Sequence, residues 1–164
     1  MHLSPSGGAP TDDAPSDEQR VETAAHGLLR DLAVLTRALF RAGEYGLTRS
    51  EVSVLDALDG APLRVTELAA RTGMVQPRVT VVLQKLADRE LVTRRRCTTD
   101  RRAVETTLTP AGRHLLEQGR QRMAAALLEG LRTTTTVDDC EHAVSAARRS
   151  IGTLAHAMQP PEAT

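Results

Sequence analysis

Hydrophobic residues recur at helical spacing through most of the chain, and this pattern predicts six helices. The first is long, from Ser16 to about Ala42, and three shorter helices follow between Thr48 and Arg89. Two more long helices are predicted at about 109–131 and 137–158. The apolar stripe of the first helix illustrates the pattern and consists of Val21, Ala25, Leu28, Leu32, Leu35 and Leu39.

Short polar motifs mark the predicted helix ends. Ser16–Gln19 and Thr48–Glu51 fit capping boxes, in which the first and fourth residues bond to each other's free backbone amides. Gly73 supplies the left-handed residue that commonly ends a helix, and Pro77 suits a first helical turn. Because only two residues separate Gly73 from the next helix, the third and fourth helices predict a helix-turn-helix.

Two short strands follow the fourth helix. Leu91–Arg96 and Ala103–Leu108 flank a polar turn and predict a hairpin, the arrangement called a wing. The predicted fold is therefore mainly α with a small β-hairpin wing: a winged helix-turn-helix plus long dimerisation helices. We assign residues 47–109 to the winged helix-turn-helix and residues 16–43 and 110–158 to the dimerisation part. Residues 1–15 are predicted to be a disordered tail, and 159–164 a second tail.

The charges are segregated along the chain, although the formal net charge is zero. Residues 1–24 carry five acidic side chains against Arg20, whereas residues 64–113 carry eleven basic side chains against five acidic ones. A surface that binds a polyanion is therefore expected in the middle third of the chain.

Several other function classes find no support. No stretch has the roughly 18 to 20 apolar residues of a membrane span, and the N-terminus lacks a secretory pattern, so a cytoplasmic location is expected. Cys97 and Cys140 lie far apart and form no ligand cluster, so we expect reduced thiols, no metal and no cofactor. The chain has no Gly-rich phosphate loop or GxSxG motif, and we predict that it is not an enzyme.

The fourth helix has the properties of a DNA recognition helix. The major groove admits one helix whose outward face is polar and partly basic. Arg78 is suited to guanine, Gln76 or Gln84 to adenine, Val81 to a thymine methyl group, and Thr80 and Lys85 to phosphates. The predicted contacts on this helix are Gln76, Pro77, Arg78, Thr80, Val81, Gln84 and Lys85. The alternative, an ordinary solvated helix face, is disfavoured by the hairpin that follows.

The wing is rich in arginine. Arg94 and Arg96 share one side of a strand, because strand residues alternate faces, and Arg95 opposes them. Arg101 and Arg102 follow in the turn, where Asp100 can orient a guanidinium for a narrow minor groove. The alternative there is a surface ion pair, worth about 0 to 1 kcal/mol.

From about Leu47 to Leu116 the chain resembles the MarR family of bacterial transcription regulators. The matching strings are Leu47–Thr48, Thr66–Ala69, Leu83–Leu86, Leu91–Arg94 and, the most specific, Asp100–Gly112. The resemblance implies a two-fold dimer held by the first, fifth and sixth helices, with Arg102 in the minor groove. It also implies a ligand cleft between the dimer helices and the winged domain.

This chain departs from the family pattern at three positions. Many members have serine at the position of Val75, arginine at that of Val81, and glycine at that of Glu90. Without the arginine, the contact is expected to shift to Arg78. A left-handed turn at Glu90 would cost about 1 kcal/mol, unless another geometry replaces it.

The long helices predict a homodimer. Their apolar stripes exceed what a winged-helix core of about 70 residues covers, so a second copy is the natural cover. Symmetry would then place two recognition helices about 34 Å apart and predicts a pseudo-palindromic site on duplex DNA.

The sequence offers two candidate signals for regulation, a bound ligand and oxidation of a thiol. If the protein is a ligand-responsive repressor, its effector is expected to be a small, anionic molecule. The candidate contacts to this effector are His26, Arg30, Arg37, Tyr45 and His114. The alternative for these residues is an interface or solvated position. Cys97, among arginines, offers a redox switch of the wing, unless it is an incidental strand-end thiol. A winged-helix protein-interaction module without DNA affinity is the remaining alternative.

Overall fold

The computed structural model describes residues 16–96, 104–133 and 136–158. These residues form six helices and one two-stranded antiparallel sheet, which confirms the predicted fold class. In chain order the elements are α1 (Asp17–Gly43), α2 (Arg49–Leu58), α3 (Val65–Thr72), α4 (Gln76–Asp88), β1 (Val92–Arg96), β2 (Val104–Leu108), α5 (Pro110–Arg132) and α6 (Val137–Ala157).

The first of two compact units ends at Ala38 and contains most of α1. Its start is the predicted capping box: the amide of Ser16 donates to Gln19 Oε1 (2.8 Å), and the amide of Gln19 donates to Ser16 Oγ (3.2 Å). Large apolar side chains on this helix are solvent-exposed in the single chain. They are Val21, Leu28, Leu29, Val34 and Leu35.

The second unit, from Leu39 onward, contains an aliphatic core. Helices α2, α3 and α4 pack against one another. The sheet and α5 pack against α2 and complete the winged-helix part. The fully buried side chains of this core belong to Val54, Leu55, Leu68, Val79, Leu83, Leu86, Thr106 and Leu116. The buried face of α4 thereby fixes the helix and directs its opposite face to solvent.

Local chemistry sets the helix ends in this unit. The amide of Thr48 donates to Glu51 Oε2 (2.7 Å) and the amide of Glu51 to Thr48 Oγ1 (3.3 Å), as predicted for a capping box. Gly73 ends α3 in the left-handed region, with a φ of 67°. The turn after α4 also has a left-handed residue, because Glu90 has a φ of 58°. The geometry typical of glycine is thus kept with a glutamate.

The two wing strands pair in an antiparallel register. Val92 lies opposite Leu108 at one end of the ladder, and Arg96 lies opposite Val104 at the other. A short bridge adds a third segment to this sheet, because Leu63 and Thr106 exchange backbone hydrogen bonds of 3.1 and 2.9 Å. The hairpin is therefore fastened to the segment that precedes α3 as well as to α4. Thr106 itself is 2% exposed, so the base of the wing belongs to the core.

Tyr45 lies between two glycines. A Cβ at Gly43 would lie 2.5 Å from Tyr45 Cε2, and one at Gly119 would lie 1.9 Å from Tyr45 Cε1. The ring therefore occupies space that any side chain at either position would fill. Arg122 of α5 adds a tie to the same loop, since its Nε donates to the carbonyl of Gly43 (2.8 Å).

Candidate nucleic-acid interface

Helix α4 separates its side chains into two faces. Val79, Val82, Leu83 and Leu86 are buried, which leaves the opposite side of the helix free. Every side chain predicted to contact DNA on this helix is exposed: Gln76, Pro77, Arg78, Thr80, Val81, Gln84 and Lys85. The outward face is therefore a mixed surface of amides, cations and one central valine, held on a rigid core.

Three of these polar side chains have partners within the protein. Arg78 donates to Ser50 Oγ in the first turn of α2 (2.8 Å), and the Gln84 amide donates to Asp88 Oδ1 (2.8 Å). The Thr80 hydroxyl donates to the carbonyl of Gln76 (3.0 Å). The guanidinium of Arg78 is thus held in one orientation, while a contact by Gln84 to a base would break an internal hydrogen bond.

The two ends of α4 are held differently, one without a side-chain cap and the other by a side-chain hydrogen bond. Val75 occupies the N-cap without a side-chain cap, so the first amides of the helix receive no help from a serine there. At the other end Arg89 donates to the carbonyl of Gly46 (2.9 Å). Contacts from α4 to the start of α2 and to the loop before it therefore restrain the orientation of the helix.

The wing arginines are exposed where the structure describes them. Arg94, Arg95 and Arg96 pair with Thr106, Glu105 and Val104, and all three project beyond the buried base of the sheet. The predicted contacts Asp100, Arg101 and Arg102, and the thiol Cys97, lie outside the described residues. The described part of the wing therefore adds a row of cations next in sequence to α4.

The candidate ligand residues differ in their surroundings. His26, Arg30 and Arg37 are exposed on α1, and His114 is exposed on α5 beside Arg113 and Glu117. Tyr45, by contrast, is a core residue, 4% exposed, whose hydroxyl donates to Met123 Sδ (3.8 Å). Its ring fills the gap between Gly43 and Gly119, which places it in the packing and not at an open cleft.

The electrostatics around Tyr45 follow from its position. Burial raises the pKa of Tyr45 above its ordinary value of 10.0, and the negative charge of Asp56 raises it further. Nearby, Arg120 donates to Asp59 Oδ2 (2.6 Å) and to Asp56 Oδ1 (2.8 Å), and the bond to Asp59 raises the pKa of Arg120. These groups link the C-terminal end of α2 to α5.

Among the described residues, no group of three or more His, Cys, Asp or Glu side chains is arranged to hold a metal ion. Cys140 is buried in α6. Within the same ranges, no helix combines the length and the apolar character that a membrane span requires.

Two residues that support the candidate interface are not predicted by the sequence pattern. Ser50 lies 28 residues before Arg78, and Gly46 lies 43 before Arg89. The position of Ser50 in the first turn of a capped helix indicates that its side chain is partly exposed. Only the packing of α2 against α4, however, brings Ser50 to Arg78.

These features together define a winged helix-turn-helix protein. The segment 45–103 matches the MarR family model. The resemblance to the MarR family is thereby confirmed, by sequence over that segment and by fold over most of the chain.

Solved structures share this fold. A candidate transcriptional regulator from Pseudomonas aeruginosa superposes with a TM-score of 0.71 at 25% identity, covering 86% of this chain and 98% of the other. MarR from E. coli in its apo form superposes with a TM-score of 0.61 at 22% identity, covering 75% of this chain and 96% of the other. A mutant of S. aureus MepR bound to an oligodeoxyribonucleotide superposes with a TM-score of 0.56 at 18% identity, covering 79% of this chain and 97% of the other. No curated protein sequence matches the chain significantly.

Proposed function

We propose that this chain is a DNA-binding transcription regulator that binds a pseudo-palindromic duplex site as a homodimer. The observation that carries the proposal is the outward face of α4, a row of exposed amide and cationic side chains on a helix whose other face is buried in the core. The exposed arginines of β1 follow directly in sequence. MepR, whose solved mutant is bound to an oligodeoxyribonucleotide, shares the fold.

Helix α4 and the wing have separate roles in this function. Arg78 is the candidate for a bidentate contact with guanine, with Gln76 and Gln84 as candidates for adenine. Arg94 and Arg96 are assigned to the phosphate backbone. The turn residues Asp100, Arg101 and Arg102 keep their predicted role at the minor groove.

Fluorescence anisotropy with labelled DNA that flanks the coding region tests this proposal. Arg78→Ala should cost about 1 to 3 kcal/mol and relax the base preference at one position of each half-site. Replacing Arg94 and Arg96 should weaken binding to all sequences and lower the salt dependence. Arg20→Ala is the matched control, because this exposed arginine pairs with Asp17 in the first turn of α1.

Salt dependence is a second test. With about six to ten phosphate contacts, the affinity should fall about 10³- to 10⁵-fold between roughly 50 and 200 mM salt. Binding that is independent of salt, or absent for every fragment, would favour the alternative of a protein-interaction module.

The homodimer is supported by the apolar side chains that the long helices leave exposed. On α6 these include Ile151 (45%) and Leu154 (46%), and Met158 (84%) follows at the C-cap of the helix. Burying such a stripe against a second copy removes its apolar surface from water. Sedimentation should give a dimer for the wild type and a monomer for the Ile151→Asp variant, which should also lose DNA affinity. Thr153→Asp adds the same charge on the polar side of α6 and should remain dimeric.

We further propose, from the family resemblance, that the regulator is a ligand-responsive repressor. The exposed cations Arg30 and Arg37 of α1 are its assigned contacts to an anionic effector. A panel of small mono- and dicarboxylates, added to the protein–DNA complex, should include compounds that release the DNA. If alanine at both positions leaves this release unchanged, the assignment is wrong.

A further inference from the structure

The centre of the outward face of α4 is apolar. Val81 lies opposite the buried stripe of the helix and is 57% exposed. One turn away on either side lie the exposed polar residues Arg78 and Lys85. The valine is therefore largely in solvent, at the middle of the surface assigned to DNA.

Burial stabilises Val81 only in part in the isolated protein, because more than half of the residue's surface is exposed. A β-branched residue loses side-chain freedom in a helix and is a poorer helix former than the lysine or glutamine beside it. An exposed valine also keeps most of its apolar surface in water. Contact with an apolar partner from outside would remove that surface from water and stabilise the complex.

The major groove offers one such partner. Base edges there present hydrogen-bond donors and acceptors, and the apolar group among them is the C5-methyl group of thymine. The neighbouring polar side chains are already engaged, Arg78 with Ser50 and Gln84 with Asp88. Val81 can meet a methyl group without breaking any internal hydrogen bond.

We propose that Val81 recognises the C5-methyl group of a thymine in each half-site and is a specificity-determining residue of this protein. The inference rests on the proposed DNA-binding function. It names a feature of the operator: a thymine faces the middle of α4, and its methyl group contributes to the affinity.

Replacing thymine by deoxyuridine isolates the methyl group, because deoxyuridine pairs with adenine in the same way and lacks only that group. The bound fragment is first narrowed by footprinting, and each symmetric pair of thymines is then replaced in turn. At one pair the affinity of the wild type should fall about tenfold, since about 0.8 kcal/mol is lost per methyl group and two are removed. Replacement elsewhere should change the affinity less than about twofold.

The variants assign this effect to a side chain. Val81→Ala should bind the thymine site more weakly and should distinguish it less from the deoxyuridine site than the wild type does, because only Cβ remains to meet the methyl group. Val75→Ala is the matched control, because Val75 is 69% exposed at the N-cap of the same helix. This variant should keep the full tenfold difference.

The outcomes separate the inference from the function on which it rests. If the wild type binds no DNA specifically, the proposed function fails. If specific binding is found and no deoxyuridine pair weakens it, the inference is overturned while the function stands. If the full tenfold difference persists in Val81→Ala, or if it vanishes in Val75→Ala, another residue contacts the methyl group and the assignment to Val81 is wrong.

Discussion

The contact between Tyr45 and Gly119 allows a sharp test of the packing between α5 and the loop after α1. In Gly119→Ala the new Cβ would lie 1.9 Å from Tyr45 Cε1 and 2.3 Å from Cζ. The ring cannot yield easily, because it is 4% exposed and Gly43 closes its other side, where a Cβ would lie 2.5 Å from Cε2. The backbone or the ring must therefore move.

Two opposing effects set the magnitude. Overpacking costs about 1 to 3 kcal/mol, and the depth of this overlap places the cost at about 3 kcal/mol. Alanine is a better helix former than glycine by about 1 kcal/mol, which offsets part of that cost. We therefore expect Gly119→Ala to lower the free energy of unfolding by about 2 kcal/mol.

The same substitution elsewhere in α5 is the control. Gly130 has no atom within 4 Å of an added Cβ, so Gly130→Ala should raise the free energy of unfolding by up to about 1 kcal/mol. Urea unfolding followed by circular dichroism measures both variants. Their protein concentrations must be equal, because the stability of a dimer depends on concentration.

A second background identifies the clash as the cause. Tyr45→Leu removes the Cε and Cζ atoms, so adding Gly119→Ala to it should cost less than in the wild type by about 2 kcal/mol. If Gly119→Ala is as stable as Gly130→Ala, or if its cost is the same in both backgrounds, the packing argument is refuted.

Four further predictions concern other contacts. Because burial raises the pKa of Tyr45, the folded protein keeps the tyrosine proton at a pH at which the unfolded chain has lost it. The free energy of unfolding should therefore fall as the pH rises above about 10. The absorbance of tyrosinate, which reports on this single tyrosine, should rise at a higher pH in the folded protein than in the unfolded chain. Glu90→Gly should stabilise the protein by up to about 1 kcal/mol in urea unfolding, since glutamate is strained at a φ of 58°; an equally stable variant would contradict this. Arg120→Ala should cost about 1 kcal/mol at low salt and less at high salt, because its bonds to two carboxylates are partly solvated; a cost independent of salt would exclude an ionic origin. Ser50→Ala should weaken binding to the operator several-fold in anisotropy by freeing the guanidinium of Arg78, and it should have no effect in an Arg78→Ala background.

The helix ends and the exposed face of α4 could be predicted from sequence because their causes are local. The capping box at Thr48–Glu51 needs only the geometry of one turn, and the left-handed residue at Gly73 needs only the lack of a side chain. The exposed face of α4 follows from a period of 3.6 residues once Val79, Leu83 and Leu86 are recognised as buried.

Glu90 marks the limit of such local rules. Glycine is preferred where the backbone is left-handed, yet the turn forms here with a glutamate. The amide of Leu91 donates to the carbonyl of Leu86 (2.9 Å), and Thr109 Oγ1 donates to the carbonyl of Glu90 (2.7 Å). These bonds, one of them 19 residues distant in sequence, hold the turn against its intrinsic preference.

The sequence by itself determined the order of the elements, the face that α4 directs to solvent, and the cations that follow it on β1. Tertiary structure alone decided that Tyr45 fills the gap at Gly119 and that Ser50 holds Arg78. The physical reason is range: periodicity and capping act within a few residues, whereas a shared cavity or a hydrogen bond between helices exists only after distant segments have packed.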